Sequence, residues 1–80
     1  MATKLFVGGL SWDTTDETLG QFFAQAGNVA SATVIKDKFT GKSRGFGFVE
    51  MSTDEEAKAA IEKLNGQQLD GRAIAVNEAK

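Results

Sequence analysis

Residues 44–51 form an octet in which two kinds of side chain alternate with a period of two. Successive residues of a β-strand point to opposite faces of a sheet, so the alternation predicts a strand with two different faces. One face carries Val49 and Met51, which can pack on a hydrophobic core. The other face presents Phe46 and Phe48 to solvent beside an arginine. A cluster of exposed aromatic side chains is costly, and it usually marks a binding surface.

The composition excludes several classes of function. The chain has 80 residues, enough for one small domain, and it contains neither cysteine nor histidine. It therefore lacks a disulfide framework, a thiolate metal site and the most common general base, and we expect no metal, no cofactor and no enzymatic activity. We predict a single domain over residues 1–80.

The sequence also indicates where the protein resides. It contains no long apolar run of the kind that crosses a membrane or directs secretion. Together with the missing cysteines, this favours an intracellular protein with no membrane partner. If the source is a bacterium, we expect the protein in the cytoplasm; if it is not, we expect it in the nucleus, the cytoplasm or an organelle.

The net charge of −2 differs from the positive charge that most nucleic-acid-binding domains carry. The distribution of charge matters more than its sum. The acidic residues concentrate in two predicted helices, whereas the cations fall on or near predicted strands: Lys4, Lys36, Lys38, Lys42 and Arg44. The chain can therefore have a positive face, and we expect weak binding to duplex DNA and a modest dependence on salt.

The predicted elements follow the order β-α-β-β-α-β. Strands are predicted at residues 4–8, 29–36, 44–51 and 73–77, which are rich in apolar and β-branched residues. Thr14 and Glu17 match a capping box that begins the first helix, and Gly27-Asn28 is expected to end it. Thr53 and Glu56 match a second capping box at the start of the second helix.

This order predicts an α+β, ferredoxin-like fold, with a four-stranded antiparallel sheet and both helices on one face. No helix remains to cover the other face, so the strand side chains on that face are expected to be exposed. Asp70-Gly71 is a turn signal that predicts a small hairpin beginning at Gln68-Leu69. Gly45 and Gly47 lie inside a strand, where we expect them to let the helices approach closely.

The octet also matches a known motif, K/R-G-F/Y-G/A-F-V-x-F/Y, at every position except the last, where Met51 replaces an aromatic residue. By parity Met51 faces the helices, so the change is expected to affect packing more than binding. With the companion hexamer at residues 5–10, the whole chain resembles an RNA recognition motif (RRM). Within that family it is most similar to the single-RRM, glycine-rich type, through residues 6–12, 37–44 and 76–79. Members of that type carry a glycine-rich tail after the domain, and the present sequence ends at Lys80 without one.

The resemblance implies a role for each side chain of the two motifs. Phe6 and Phe48 would each stack on a base, and Phe46 would pack on a sugar or between nucleotides. Arg44 would contact a phosphate. The alternative for the three rings is core packing, and their parity, opposite to that of the buried aliphatic positions, argues against it.

Further candidates surround these rings. They comprise Lys4, Thr33, Ile35, Phe39, Lys42, Asn77, Glu78, Ala79 and Lys80, with Trp12 as an additional candidate. For the lysines, a solvated surface charge is an equal alternative. Trp12 could pack against the first helix as a hydrophobic staple or stack on a base. Phe39 could clamp the bound strand or be an isolated exposed aromatic.

The resemblance implies a module that binds about two to four nucleotides of single-stranded RNA without chemistry of its own. Because stacking does not read the 2′-OH, single-stranded DNA is a second candidate ligand. We expect no small-molecule substrate and a monomeric chain. The family role further implies an RNA chaperone in RNA processing or the stress response. The alternative is a protein-interaction domain of the same fold, in which the acidic helices bind a basic partner.

Overall fold

The fold was obtained as a computed structural model, which describes residues 3–79. Six strands and two helices follow one another along this part of the chain: β1 (Lys4–Gly8), α1 (Asp16–Phe23), β2 (Val29–Lys36), β3 (Ser43–Met51), α2 (Asp54–Leu64), β4 (Gln68–Leu69), β5 (Arg72–Ala73) and β6 (Ala75–Glu78). Neither helix in this part of the chain is long and apolar enough to cross a membrane.

Four strands form one antiparallel sheet in the order β2-β3-β1-β6. The predicted ferredoxin-like arrangement of two helices and a four-stranded antiparallel sheet is therefore confirmed. Strands β4 and β5 form a separate hairpin, as the turn signal predicted, and Asp70 and Gly71 at its tip have φ angles of 53° and 85°. Two successive positive φ values are typical of the tight turns that match the twist of a hairpin. Ala73 belongs to β5 of this hairpin, so the last strand of the sheet begins at Ala75 rather than at residue 73.

The hydrophobic core lies between the sheet and the two helices. It contains side chains from one face of each sheet strand, from both helices and from the segments that follow β1 and α2: Leu5, Val7, Leu10, Leu19, Phe23, Val34, Val49, Met51, Ala57, Ala60, Leu64, Leu69, Ile74 and Val76. Helix α1 packs mainly against β2, and α2 packs mainly against β6. Met51 is 1% exposed, so it lies in the core as its parity predicted.

The first helix begins one residue later than its sequence pattern predicts. Thr15, not Thr14, is the N-cap, and it forms a capping box with Thr18 rather than with Glu17. The Thr15 hydroxyl accepts from the backbone N–H of Thr18 (3.2 Å), and the Thr18 hydroxyl accepts from that of Thr15 (2.9 Å). Thr14 is buried, and its hydroxyl donates to Asp70 of the hairpin turn (2.8 Å).

The end of α1 and the start of α2 can also be compared with their sequence-based predictions. Helix α1 ends at Phe23, before the predicted stop, and the residues that follow form turns. Helix α2 begins after the predicted cap, Thr53, whose hydroxyl accepts from the backbone N–H of Glu56 (3.1 Å). The Glu56 carboxylate accepts from the Thr53 hydroxyl and from the backbone N–H of Asn28, so it ties α2 to the loop between α1 and β2.

The glycines of β3 accommodate other parts of the backbone, and the prediction that they let the helices approach is wrong. A Cβ atom on Gly47 would lie 2.5 Å from the carbonyl oxygen of Thr33 in β2, so Gly47 is required for the close pairing of these strands. Gly45 has a φ of 83°, which an L-residue adopts only with strain. The register of β2 against β3 shifts in this region, which identifies a β-bulge.

Candidate nucleic-acid interface

Three phenylalanine rings lie together on the sheet face opposite the helices. Phe6 of β1 pairs with Phe48 of β3, and Phe46 of β3 pairs with Gly8 of β1. All three rings are partly exposed, and none belongs to the buried core cluster. We call Phe6, Phe46 and Phe48 the aromatic platform.

The rings of the platform contact one another in two different ways. The centroids of Phe6 and Phe46 are 5.6 Å apart, and the two rings are inclined by only 28°. Phe48 meets both of them edge to face, at 5.9 Å from Phe6 and 6.2 Å from Phe46. Such contacts order the rings in the absence of a ligand. The platform therefore offers ring faces in two orientations.

The strand register places the platform in the middle of the sheet. Paired residues of an antiparallel sheet share a face, so one row crosses all four strands in the order Thr33, Phe48, Phe6, Asn77. Thr33 and Asn77 are exposed at the two ends of this row. Hydrogen-bonding side chains thus flank the two central rings on both sides.

The next row contains a pair of opposite charges. Lys4 of β1 pairs with Glu50 of β3, and both are exposed. The Lys4 ammonium lies 4.8 Å from the centroid of the Phe48 ring, within the range of a cation–π contact. Lys4 therefore places a positive charge at the edge of the platform, where a phosphate group could approach.

The end of the last strand differs in position and register from its sequence-based prediction. Asn77 and Glu78 lie within β6 rather than after it. Glu78 pairs with Leu5, whose side chain is buried, so its register is that of the helix-facing row and not of the platform. The backbone N–H of Ala79 donates to the carbonyl of Lys4 (2.9 Å), which extends the pairing of β6 with β1. Lys80 lies outside the described residues.

A groove lies beside the sheet, between the β1–α1 loop and the β2–β3 loop. Its volume is about 450 Å³, and Trp12, Lys42 and Ser43 line it. A smaller adjoining space of about 280 Å³ also contacts Asp37, Thr40 and Arg44. Trp12 is 64% exposed, which rules out the hydrophobic staple. Trp12 and Arg44 line the smaller space together, and Arg44 directly precedes Gly45 at the bulge of β3.

The β2–β3 loop is organised by Asp37, a residue that the sequence analysis did not single out. Its carboxylate accepts from the backbone N–H groups of Phe39 (2.7 Å) and Thr40 (3.1 Å). These two hydrogen bonds hold the pKa of Asp37 below its ordinary value of 3.8, and the charge of Arg44 lowers it further. An aspartate that bonds to backbone groups two and three residues later is a turn signal, and it could have been found in the sequence.

Phe39 and Ile35 belong to different parts of this hairpin: Phe39 lies in the loop, and Ile35 lies near the end of β2. Phe39 is 95% exposed at the tip of the loop, so its ring is available for contact with a ligand and makes little contribution to the fold. Ile35 is partly buried and lies where the register of β2 against β3 shifts.

Protonation of Asp37 is expected to loosen the loop only in acid. Because its pKa is lower in the folded state than in the unfolded state, the stabilising contribution is complete above about pH 4 and is lost as the pH falls through the folded value. The backbone amide signals of Phe39 and Thr40 should therefore be constant near neutrality and move in acid. Asp37→Asn is the control, because it keeps an acceptor oxygen that does not titrate. The same acid-induced movement in this variant would contradict the assignment.

The chain is similar to known proteins over nearly its whole length. It matches the RNA recognition motif family over residues 5–75. It is 54% identical to "Glycine-rich RNA-binding protein 4, mitochondrial" of Arabidopsis thaliana over 79 residues, which cover 99% of this chain and 58% of the relative. The chain spans about half the length of the curated relatives it matches.

Solved structures give the same result. The crystal structure of RNA binding protein PG1 superposes with a TM-score of 0.91 at 45% identity, over 98% of this chain and 94% of that one. The RRM of Rna15 with bound RNA (GU) superposes with a TM-score of 0.87 at 26% identity, over 99% and 84%. The match over residues 5–75, the sequence identity and the shared fold establish that the chain belongs to the RNA recognition motif family.

Proposed function

We propose that this chain binds single-stranded RNA by stacking unpaired bases on the aromatic platform. The observation that carries the proposal is the row across the sheet, in which two exposed rings are flanked by Thr33 and Asn77. Rings of this kind attract the flat faces of unpaired bases, and the flanking groups can bond to base edges. A base pair in a duplex has no free face to stack, so duplex nucleic acid would bind weakly.

The groove beside Trp12 would extend the site beyond the sheet. An exposed indole can stack on a further base, and Lys42 and Arg44 next to it can contact phosphates. In this proposal Lys4 contacts a phosphate at the other end of the platform, and Phe39 covers the bound strand from the loop tip. The stretch held in this way is about two to four nucleotides on the sheet, with the groove as an addition.

Affinity is expected on the order of micromolar, since each stacked base contributes about 1–3 kcal/mol and ordering of the RNA offsets part of the sum. Single-stranded DNA would bind to the same rings, because stacking does not depend on the 2′-OH. We propose that the chain acts as a monomer and as a single domain over residues 1–80.

Binding to unpaired segments would also make the protein an RNA chaperone. A ligand that binds only the open form of an RNA hairpin shifts the hairpin toward that form by mass action. In a longer protein that contains this domain, such an activity would serve RNA processing or the stress response. A hairpin RNA that melts at the same temperature with and without saturating protein would contradict this role.

The proposal is tested by titrating a short single-stranded RNA while recording NMR signals of the protein. The backbone and ring signals of Phe6, Phe46 and Phe48 should shift, and the side-chain signal of Trp12 should shift with them. Signals of the exposed faces of α1 and α2 should stay constant and serve as the internal control. Shifts confined to the two helices would contradict RNA binding by the sheet and would favour a protein partner.

A further inference from the structure

Gly8 lies directly beneath one ring of the aromatic platform. It pairs with Phe46 of β3 and with Ala75 of β6, on the same sheet face as Phe6. A Cβ atom on Gly8 would lie 3.0 Å from Cε2 and 3.5 Å from Cζ of Phe6. The Phe6 ring is therefore folded along its own strand, over the backbone of Gly8 and toward Phe46.

Within the described residues, the Phe6 ring alone approaches the position that a Cβ atom on Gly8 would occupy. Among residues 3–79, and apart from the two chain neighbours of Gly8, no other heavy atom lies within 4 Å of the added carbon. Gly47 and Gly9 differ, because an added carbon there would meet the backbone of a neighbouring segment at 2.5 and 2.8 Å. Gly8 does not have a positive φ, so its backbone conformation is open to other residues. The missing side chain of Gly8 therefore affects the position of the Phe6 ring, and the backbone of the sheet does not require it.

We propose that Gly8 is a positioning residue for RNA binding. Its missing side chain lets the Phe6 ring lie low over β1, and this placement sets the 28° inclination and the 5.6 Å separation of Phe6 and Phe46. A side chain at position 8 lifts the Phe6 ring and separates it from Phe46. The face that a base would stack on is then displaced. The inference rests on the proposed function, because it assigns Gly8 a role only through Phe6.

The test is a double-mutant cycle that combines Gly8→Val with Phe6→Ala, measured with fluorescent oligouridine of about eight nucleotides. Valine suits a strand and adds bulk at the Cβ position. Gly8→Val should weaken binding by about fivefold or more in the natural chain, and by less than about twofold when Phe6 is already alanine. The ring signals of Phe6 and Phe46 should also shift in Gly8→Val without RNA, while the backbone signals of the helices remain in place.

Each other outcome is informative. Equal losses of affinity in both backgrounds would overturn the proposal, because Gly8 would then act independently of Phe6. Normal binding by Gly8→Val, with Phe6→Ala impaired, would overturn it as well and leave the proposed function intact. If Phe6→Ala itself binds normally, stacking on Phe6 fails and the role of Gly8 fails with it. Should the valine variant not fold, Gly8→Ala adds a single carbon at 3.0 Å from the ring and permits the same comparison with a smaller effect.

Discussion

Replacement of Phe48 by alanine is expected to weaken the binding of single-stranded RNA by about tenfold or more while the domain remains folded. Phe48 lies at the centre of the sheet, paired with Phe6 on one side and with Thr33 on the other. It meets both other rings of the platform edge to face and also supports the Lys4 ammonium. The substitution therefore removes one ring of the platform and the aromatic partner of the Lys4 ammonium at once.

The measurement is fluorescence anisotropy with a labelled oligonucleotide at a stated salt concentration, because phosphate contacts depend on ionic strength. Ile61→Ala is the matched control, since Ile61 is also a partly buried apolar residue and lies on α2, across the core from the platform. It should change the affinity by less than about twofold. Unchanged binding by Phe48→Ala would exclude stacking on this ring. Equal losses in both variants would indicate that the fold, rather than the platform, had been damaged.

Most of the fold follows from short-range patterns in the sequence. The period-two octet and the apolar run of β1 predict the faces of two central strands, and the observed register agrees with that parity at Phe6 and Phe48. The first helix shows where such patterns fail. The sequence pattern favours Thr14 as the cap, because Glu17 follows three residues later, but the Thr14 hydroxyl donates to Asp70 and Thr15 caps the helix instead. That contact joins residues far apart in the chain, so a local pattern cannot reveal it.

One part of the candidate site could be predicted from the sequence, and another part could not. The platform could be predicted, because strand parity alone determines which rings share a face. The groove could not be predicted, because it depends on how segments far apart in the sequence meet: Trp12 comes from the β1–α1 loop, Lys42 comes from the β2–β3 loop, and Ser43 is the first residue of β3. The alternation of side chains also fails to predict the conformation of Gly45. This residue lies at a β-bulge directly before Phe46, and its φ is 83°. The structure shows that Gly45 adopts a positive φ and that the Phe6 ring lies over Gly8, and the motif alone reveals neither fact.

The largest effect on stability is expected from Phe23→Ala. Phe23 is 0% exposed at the end of α1, and its ring meets that of Phe22 edge to face at 6.0 Å. Truncation of a fully buried phenylalanine costs about 3–5 kcal/mol, because the cavity that it leaves closes only in part. A domain of this size has a free energy of unfolding of about 4–12 kcal/mol, so a large share of the stability would be lost.

Phe39→Ala removes the same side chain from a position that is 95% exposed, and it should change the free energy of unfolding by no more than about 0.5 kcal/mol. Urea unfolding followed by circular dichroism measures both variants, because Trp12 is too exposed for its fluorescence to report on the core. Phe23→Ala should bind RNA with nearly normal affinity wherever it is still folded, since Phe23 lies on the helix side of the sheet. Similar destabilisation by both substitutions would contradict the division of the phenylalanines into core and surface. A folded Phe23→Ala variant that no longer binds RNA would contradict the independence of the platform from the helix layer.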